Sequence, residues 1–252
     1  MLEVGLLAEE VEKAGILFAR IGTAVMLLPG TGEGAIPVRI RLAAALWLTL
    51  VGLSALGDGI VLPEGDAARI ALLLGELMIG LLLGASARFV FMALYMAGEL
   101  VAMLMALSAA VLFDPRQSAP NTIPSRFLAA SGLVLLHVTG GHLFLLRGLF
   151  GSYRLLPLGE LPAASAAEWL SVLSTEIWPL ALAIAAPVVI VMMVTQLAFG
   201  LLGRLVPGIQ VFFVALPLQI LLALAGLLVG VTAALGWFLG RFDALLRPLG
   251  FG

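Results

Sequence analysis

The run from Ala67 to Leu112 reads AARIALLLGELMIGLLLGASARFVFMALYMAGELVAMLMALSAAVL. As one α-helix it would reach roughly 70 Å at about 1.5 Å per residue, against a bilayer core of about 30 Å. The stretch is apolar enough for lipid and far longer than one crossing needs. Either it breaks in two, near Tyr95–Gly98, or its helices do not all cross a membrane in the simple way. The whole chain supports the membrane setting. It is 62% hydrophobic and 11% charged, with a mean hydropathy of +1.19, where soluble domains are about 45–50% apolar and about 25% charged. A water-soluble core of this size cannot hide so much apolar surface. The chain is an integral membrane protein or an obligate part of a membrane-bound assembly.

Working outward, further apolar runs lie at 14–29, 40–57, 127–150, 175–206 and 209–240. Gly/Pro-rich connections separate them: PGTGEGAIP at 29–37, GDGIVLPEGD at 57–66, a polar stretch at 153–165, and Val206-Pro207-Gly208. With no tandem repeat, residues 1–252 are expected to form a single all-helical domain. The opening segment MLEVGLLAEEVEKAG carries Glu3, Glu9, Glu10 and Glu12 where a secretory signal needs positive charge. Its Leu2, Leu6, Leu7 and Val11 fall near helical spacing, so it reads as an amphipathic lead-in to the first apolar run. Basic residues are spread thinly over the connections, and no asymmetry between alternate loops sets an orientation.

Several chemistries are not expected. The chain has no cysteine, which removes disulfides, thiolate metal sites and cysteine nucleophiles together. His137 and His142 are five apart, about 140° around a helix, where a helical zinc pair wants a spacing of three or four. P-loop, G-x-S-x-G and H-E-x-x-H signatures are absent, and Asp114 has no second carboxylate nearby for acid–base work. The expectation is a protein that is not an enzyme, with no metal or cofactor and no nucleic-acid partner.

Two kinds of residue interrupt the apolar runs. Glu76, Arg88 and Glu99 are charges inside the 67–112 run. A charge in lipid costs about 2.5 kcal/mol or more, so such groups face a cavity or a partner. Arg88 and Glu99 share a helix face but lie about 16 Å apart along the axis, too far to pair. They either line a transport path, or mark helix ends or bond to neighbouring subunits, and the second reading is adopted. Gly80 and Gly84, Gly226 and Gly230, and Gly236 and Gly240 are pairs one helical turn apart. That spacing lets helix backbones approach closely in lipid, within the chain or with partners.

The segment VLFDPRQSAPNTIPSRFLAA, residues 111–130, has a different character. Asp114-Pro115, Ala119-Pro120 and Ile123-Pro124 bias the backbone away from helix. Irregular backbone at membrane depth is tolerated only when it is buried in protein or lines a watery cavity. The alternative is a short exposed hairpin between helices.

Taken in order, the pieces resemble the FliR family of flagellar type III export gates, related to the SctT virulence-secretion gate proteins. They are the Arg20 helix, IPVRIRLAAAL at 36–46, GELMIGLLLG at 75–84 and AGELVAMLMALS at 97–108. FDP at 113–115, GGHLFLL at 140–146 and YRLLPLG at 153–159 follow. AAPVVIVMMVTQLAFGLLGRLVPG at 185–208 and VFFVALPLQI at 211–220 complete the set. The apolar stretch after Glu99 and the ALPLQI around Pro217 look flagellar. Gly208-Ile209-Gln210 and Ala215-Leu216 depart from the family's usual residues there.

The resemblance implies an all-α membrane protein of packed helical hairpins. One copy would stand beside several FliP-like and FliQ-like subunits in a closed helical cone, with an FlhB-like protein at its entrance. The setting would be the bacterial inner membrane, in the flagellar basal body. The cone's lumen would pass unfolded flagellar proteins, and the segment 107–125 would help plug it. On that basis Phe113, Asp114 and Pro115 shape the plug, with Met103 and Met105 as adaptable packing. Glu76, Arg88 and Glu99 bond within the hairpins or to FliP-like and FliQ-like neighbours. The alternatives are a virulence (injectisome) export gate of the same fold, and a self-sufficient small-solute transporter. Against the latter, no paired broken helices occur in matching halves.

Overall fold

A computed structural model describes residues 2–32, 34, 36–105, 122–160, 163–205, 211–249 and 251, with the side chains of 2–7, 58, 163 and 211–214 outside the description. The described residues form α1 (Leu2–Leu27), α2 (Val38–Leu56), α3 (Asp66–Leu104), α4 (Ile123–Val138), α5 (Gly141–Leu155), α6 (Ala163–Leu205) and α7 (Val211–Leu246). Short 3-10 turns lie at Gly57–Gly59 and Arg247–Leu249. Among these residues there is no strand.

Over its described part the long run is one helix, ending at Leu104. α3 continues for 39 residues, about 58 Å, straight through the Tyr95–Gly98 stretch where a break was one of the two options. Gly98 marks a close approach instead: a Cβ there would overlap the main chain of Ser125. The reverse happens at 127–150. Hydropathy runs through it, but the chain breaks at 139–140, where Gly140 adopts φ 78. Its carbonyl then accepts the N–H groups of Leu143 and Phe144 and starts α5. Glycine bears that left-handed backbone without a Cβ clash. α2 begins just after Pro37, whose ring fixes φ at −55 and whose carbonyl receives the N–H of Ile40.

Among the described residues, four helical stretches are long and apolar enough to cross a membrane: Val38–Leu56, Asp66–Leu104, Ala164–Leu205 and Ala215–Leu249. A fifth arises if α4 and α5 count as one broken span. Large apolar side chains stay uncovered, among them Trp47 at 71% and Val229 at 83% exposure. In water this would be an aggregation surface; lipid or partner helices are its natural cover.

The chain forms two compact units. The first comprises Met1–Val90, Thr139–Leu173 and Phe242–Gly252. Its core holds Leu17 and Ile21 of α1, Ile79 and Leu83 of α3, Leu149 of α5 and Phe251. Gly80 and Gly84 lie against the α1 main chain at Arg20 and Ala24, and Gly148 lies against Phe251. The second comprises Phe91–Val138 and Ser174–Arg241. Here Phe91 meets Tyr95 and Phe238 edge-to-face at 6.5 and 6.0 Å. Gly132 lies against Leu94, Gly226 against Val188, and Gly230 against Pro187.

Candidate functional site

Within the first unit a fully buried ion pair joins α1 to α3. Arg20 and Glu76 are both shielded from solvent. The guanidinium donates from Nε to Glu76 Oε2 at 2.7 Å and from Nη2 to Glu76 Oε1 at 2.7 Å. This is the two-pronged geometry that suits arginine to a carboxylate. The remaining capacity is also used. Arg20 Nη1 donates to Ser152 Oγ at 3.2 Å, and Nη2 donates to the Leu156 carbonyl at 3.0 Å. Glu76 Oε1 accepts the Gly159 N–H at 2.9 Å. The Tyr153 ring covers the guanidinium face, its centroid 4.1 Å from Arg20 Cζ.

The glycines around this pair are geometric requirements. Gly159 has φ 74, the left-handed region, which aims its N–H at the carboxylate. Gly75 lets that turn come close: a Cβ at Gly75 would lie 2.9 Å from the Gly159 carbonyl oxygen. Gly80 and Gly84 bring α3 onto α1. Burying two unpaired charges would cost several kcal/mol each, so an arrangement that satisfies both at once is what makes their burial tolerable.

Arg88 is half-buried and donates from Nη1 to the Gly32 carbonyl at 3.2 Å. Glu99 lies in the second unit. Its Oε1 accepts the Thr122 N–H at 2.9 Å and the Thr122 hydroxyl at 3.3 Å. Met105 is 1% exposed and Met103 60% exposed. Phe113, Asp114 and Pro115 lie outside the described residues. Among the described residues the three charged residues therefore have separate partners, and only Glu76 joins another charge.

Of the glycine pairs, Gly80–Gly84 and Gly226–Gly230 face packed neighbours, whereas a Cβ at Gly236 or Gly240 would meet nothing within 4 Å among the described residues. His137 Nδ1 lies 2.8 Å from the Leu133 carbonyl oxygen on its own helix.

Sequence reasoning did not pair Arg20 with Glu76, and it gave Ser152, Tyr153 and Gly159 no role. The available signal was a lone basic residue in the first apolar run and two acids in the third, each costly without a partner. Apart from Ser152, the partners come from the Arg20 helix, GELMIGLLLG and YRLLPLG, three of the pieces that carried the resemblance.

Long apolar helices, with their interior charges matched inside the fold, define an all-α membrane protein. The chain belongs to the family described as bacterial export proteins, family 1, whose model matches residues 12–245. It is 34% identical over 242 residues to the flagellar biosynthetic protein FliR of Caulobacter vibrioides, covering 95% of this chain and 96% of that protein. It is 28% identical over 202 residues to FliR of Escherichia coli, covering 80% and 77%. It is 29% identical over 181 residues to the secretion system apparatus protein SsaT of Salmonella typhimurium, covering 71% and 70%. The FliR-family relationship expected from the motifs holds.

Proposed function

We propose that this chain is the FliR-type subunit of a flagellar type III export gate. It is a non-enzymatic component that forms, with FliP-like and FliQ-like subunits, the channel for unfolded flagellar proteins in the bacterial inner membrane. All of residues 1–252 serve as one export-gate domain, next to an FlhB-like protein at the entrance. The segment around Phe113, Asp114 and Pro115 helps plug the lumen. The observation that carries this reading is the agreement of family membership along residues 12–245 with the convergence of three family-like pieces on one buried ion pair.

Uncovered apolar surface on α2, α6 and α7 supports a role as one part of a larger helical assembly. A tagged chain purified from its own membranes should bring FliP-like and FliQ-like subunits with it. Alone in liposomes it should pass no solute. Recovery as a lone chain that transports a small solute would sink the reading. Deleting 114–122 should leave the complex assembled and make it leak small ions; a tight, export-competent deletion would remove the plug role.

A virulence export gate is the second reading, favoured by the similarity to SsaT. Flagellar assignment rests on the fuller coverage of the Caulobacter FliR match. Genes beside this one, flagellar basal-body or needle-type, decide between them.

A further inference from the structure

Within the first unit, one face of α1 is left uncovered. Gly15, Phe18, Ala19, Gly22 and Met26 recur at helical spacing and floor an open groove of about 560 Å³. Leu73, Leu77 and Leu81 of α3 form its side, and Leu42 of α2 adds to the lining. α3 runs alongside α1 in the same direction, since Gly80 lies against Arg20 and Gly84 against Ala24. α2 returns the opposite way: its Gly52 meets Leu17 and Ile21, so its start stands by the end of α1. From Gly15 to Met26 the floor is about 17 Å long at about 1.5 Å per residue. That is close to half of the roughly 30 Å bilayer core, the depth of one leaflet. The one polar side chain in the described lining is Thr23, and its hydroxyl already donates to the Ala19 carbonyl at 2.6 Å. Nothing here suits a polar ligand.

The two ends of the groove differ in charge. At the Gly15 end, Arg69 pairs with Glu12 at 2.9 Å, and Lys13 bridges Glu9 and Glu10. No cation is left over there. At the other end stand Arg39 and Arg41, in the first turn of α2, neither of them in an ion pair among the described residues. Arg39 is exposed and lies three positions before Leu42, on the same helix face. Arg41 is half-buried, and its Nε is shielded from water with no hydrogen-bond partner among the described residues. Arg88 reaches this end too, where it donates to the Gly32 carbonyl at 3.2 Å. The connection 28–37 carries one acid, Glu33, outside the described residues, and the arginines outnumber it.

We propose that this groove holds one acyl chain of an anionic glycerophospholipid whose phosphate is bound by Arg39 and Arg41. Guanidinium groups suit phosphate oxygens, and basic residues beside an apolar span attract anionic lipid. An apolar partner helix alone would leave the arginines unmatched. A lipid fills the groove and supplies the anion in one molecule. The site goes beyond the export-gate reading and stands without it.

The test uses the full chain, with the subunits that accompany it, extracted from its own membranes into phosphatidylcholine nanodiscs. The probe is phosphatidylglycerol with a diazirine in its acyl chain, and labelled peptides are mapped by mass spectrometry. Labelling should concentrate on 15–27 and 73–81, and unlabelled phosphatidylglycerol should compete where extra phosphatidylcholine does not. Arg39→Gln with Arg41→Gln should cut this labelling about thirtyfold, the product of about fivefold for each arginine near anionic lipid. Arg39→Lys with Arg41→Lys keeps the charge and should keep most of the labelling. Leu77→Trp, which fills the groove and leaves the arginines in place, should abolish it; if that variant does not assemble, the arginine variants carry the test. Equal labelling by a phosphatidylcholine probe would mean unselective boundary lipid and overturn the site. So would labelling that the double glutamine variant leaves unchanged. Labelling that appears only after the accompanying subunits are stripped away would show a partner helix in the groove, and overturns the lipid.

Discussion

The two acids on α3 that lie 23 positions apart do different work. Glu76 is fully buried, held by both prongs of Arg20 and by the Gly159 N–H. Glu99 is half-buried and spends one oxygen on the N–H and hydroxyl of a single residue. The first is a closed network in which every partner is committed. Losing one strands a charge in a place water cannot reach. The second is a local cap at a helix start, and losing it frees one turn. Charge inside an apolar helix is thus no single signal: burial and the number of bonds decide whether it holds a unit together or tunes one end of a segment.

The largest expected effect breaks the first network. Arg20→Ala or Glu76→Ala alone should cost about 3–5 kcal/mol, because each leaves an unpaired buried charge. Membrane abundance of the intact chain should fall to a small fraction of wild type. Arg20→Met combined with Glu76→Leu should recover most of it, since apolar replacement of both partners is often neutral. A double variant no better than the singles would mean that the pair does more than fill its site.

Next come the glycines that seat each acid. Gly80→Ala and Gly98→Ala place a methyl against main chain, at Arg20 and at Ser125 respectively. Overpacking of this kind costs about 1–3 kcal/mol. The two should differ in where the damage falls: Gly80→Ala on overall thermal stability in detergent, Gly98→Ala on protection of the first α4 turn. Equal global losses would erase the contrast drawn between the two regions. The smallest effect on the chain itself is expected at Gly236→Ala and Gly240→Ala, which meet nothing within 4 Å among the described residues and should raise helix stability by about 0.5–1 kcal/mol. If a partner helix uses that face, co-purification of the partner subunits should drop while the chain's own melting temperature holds or rises.

Much of the helical layout was legible because apolar runs and Gly/Pro punctuation are local. Element joins were less so. Hydropathy cannot tell Gly98, which accepts a neighbour's backbone inside a continuous helix, from Gly140, which turns the chain. The difference lies in φ and in what stands opposite, not in the residue. The same holds for glycine pairs: Gly80–Gly84 and Gly236–Gly240 share one spacing, but among the described residues only the first has a helix against it. Arg20 and Glu76 are 56 positions apart, and Ser152 is 132 from Arg20. No periodicity spans such distances, so the pairing had to be seen in three dimensions. The sites named from resemblance at Phe113, Asp114 and Pro115 had no physical signal beyond a proline-rich composition, and they lie outside the described residues.

The Arg20 cluster also sets an order of events during synthesis. The arginine leaves the ribosome first, its carboxylate follows 56 residues later, and Ser152 comes 132 after the arginine. At about 5–20 residues per second, the guanidinium waits several seconds for Glu76 and longer for its remaining acceptors. Throughout that interval a charged helix next to the bilayer has no internal match. α1 can settle into its final place only after α3, α5 and the turn at Gly159 have arrived, so the first unit is completed late and as a whole, and a chain stalled before Gly159 would present an unpaired arginine to the machinery that clears unfinished membrane proteins.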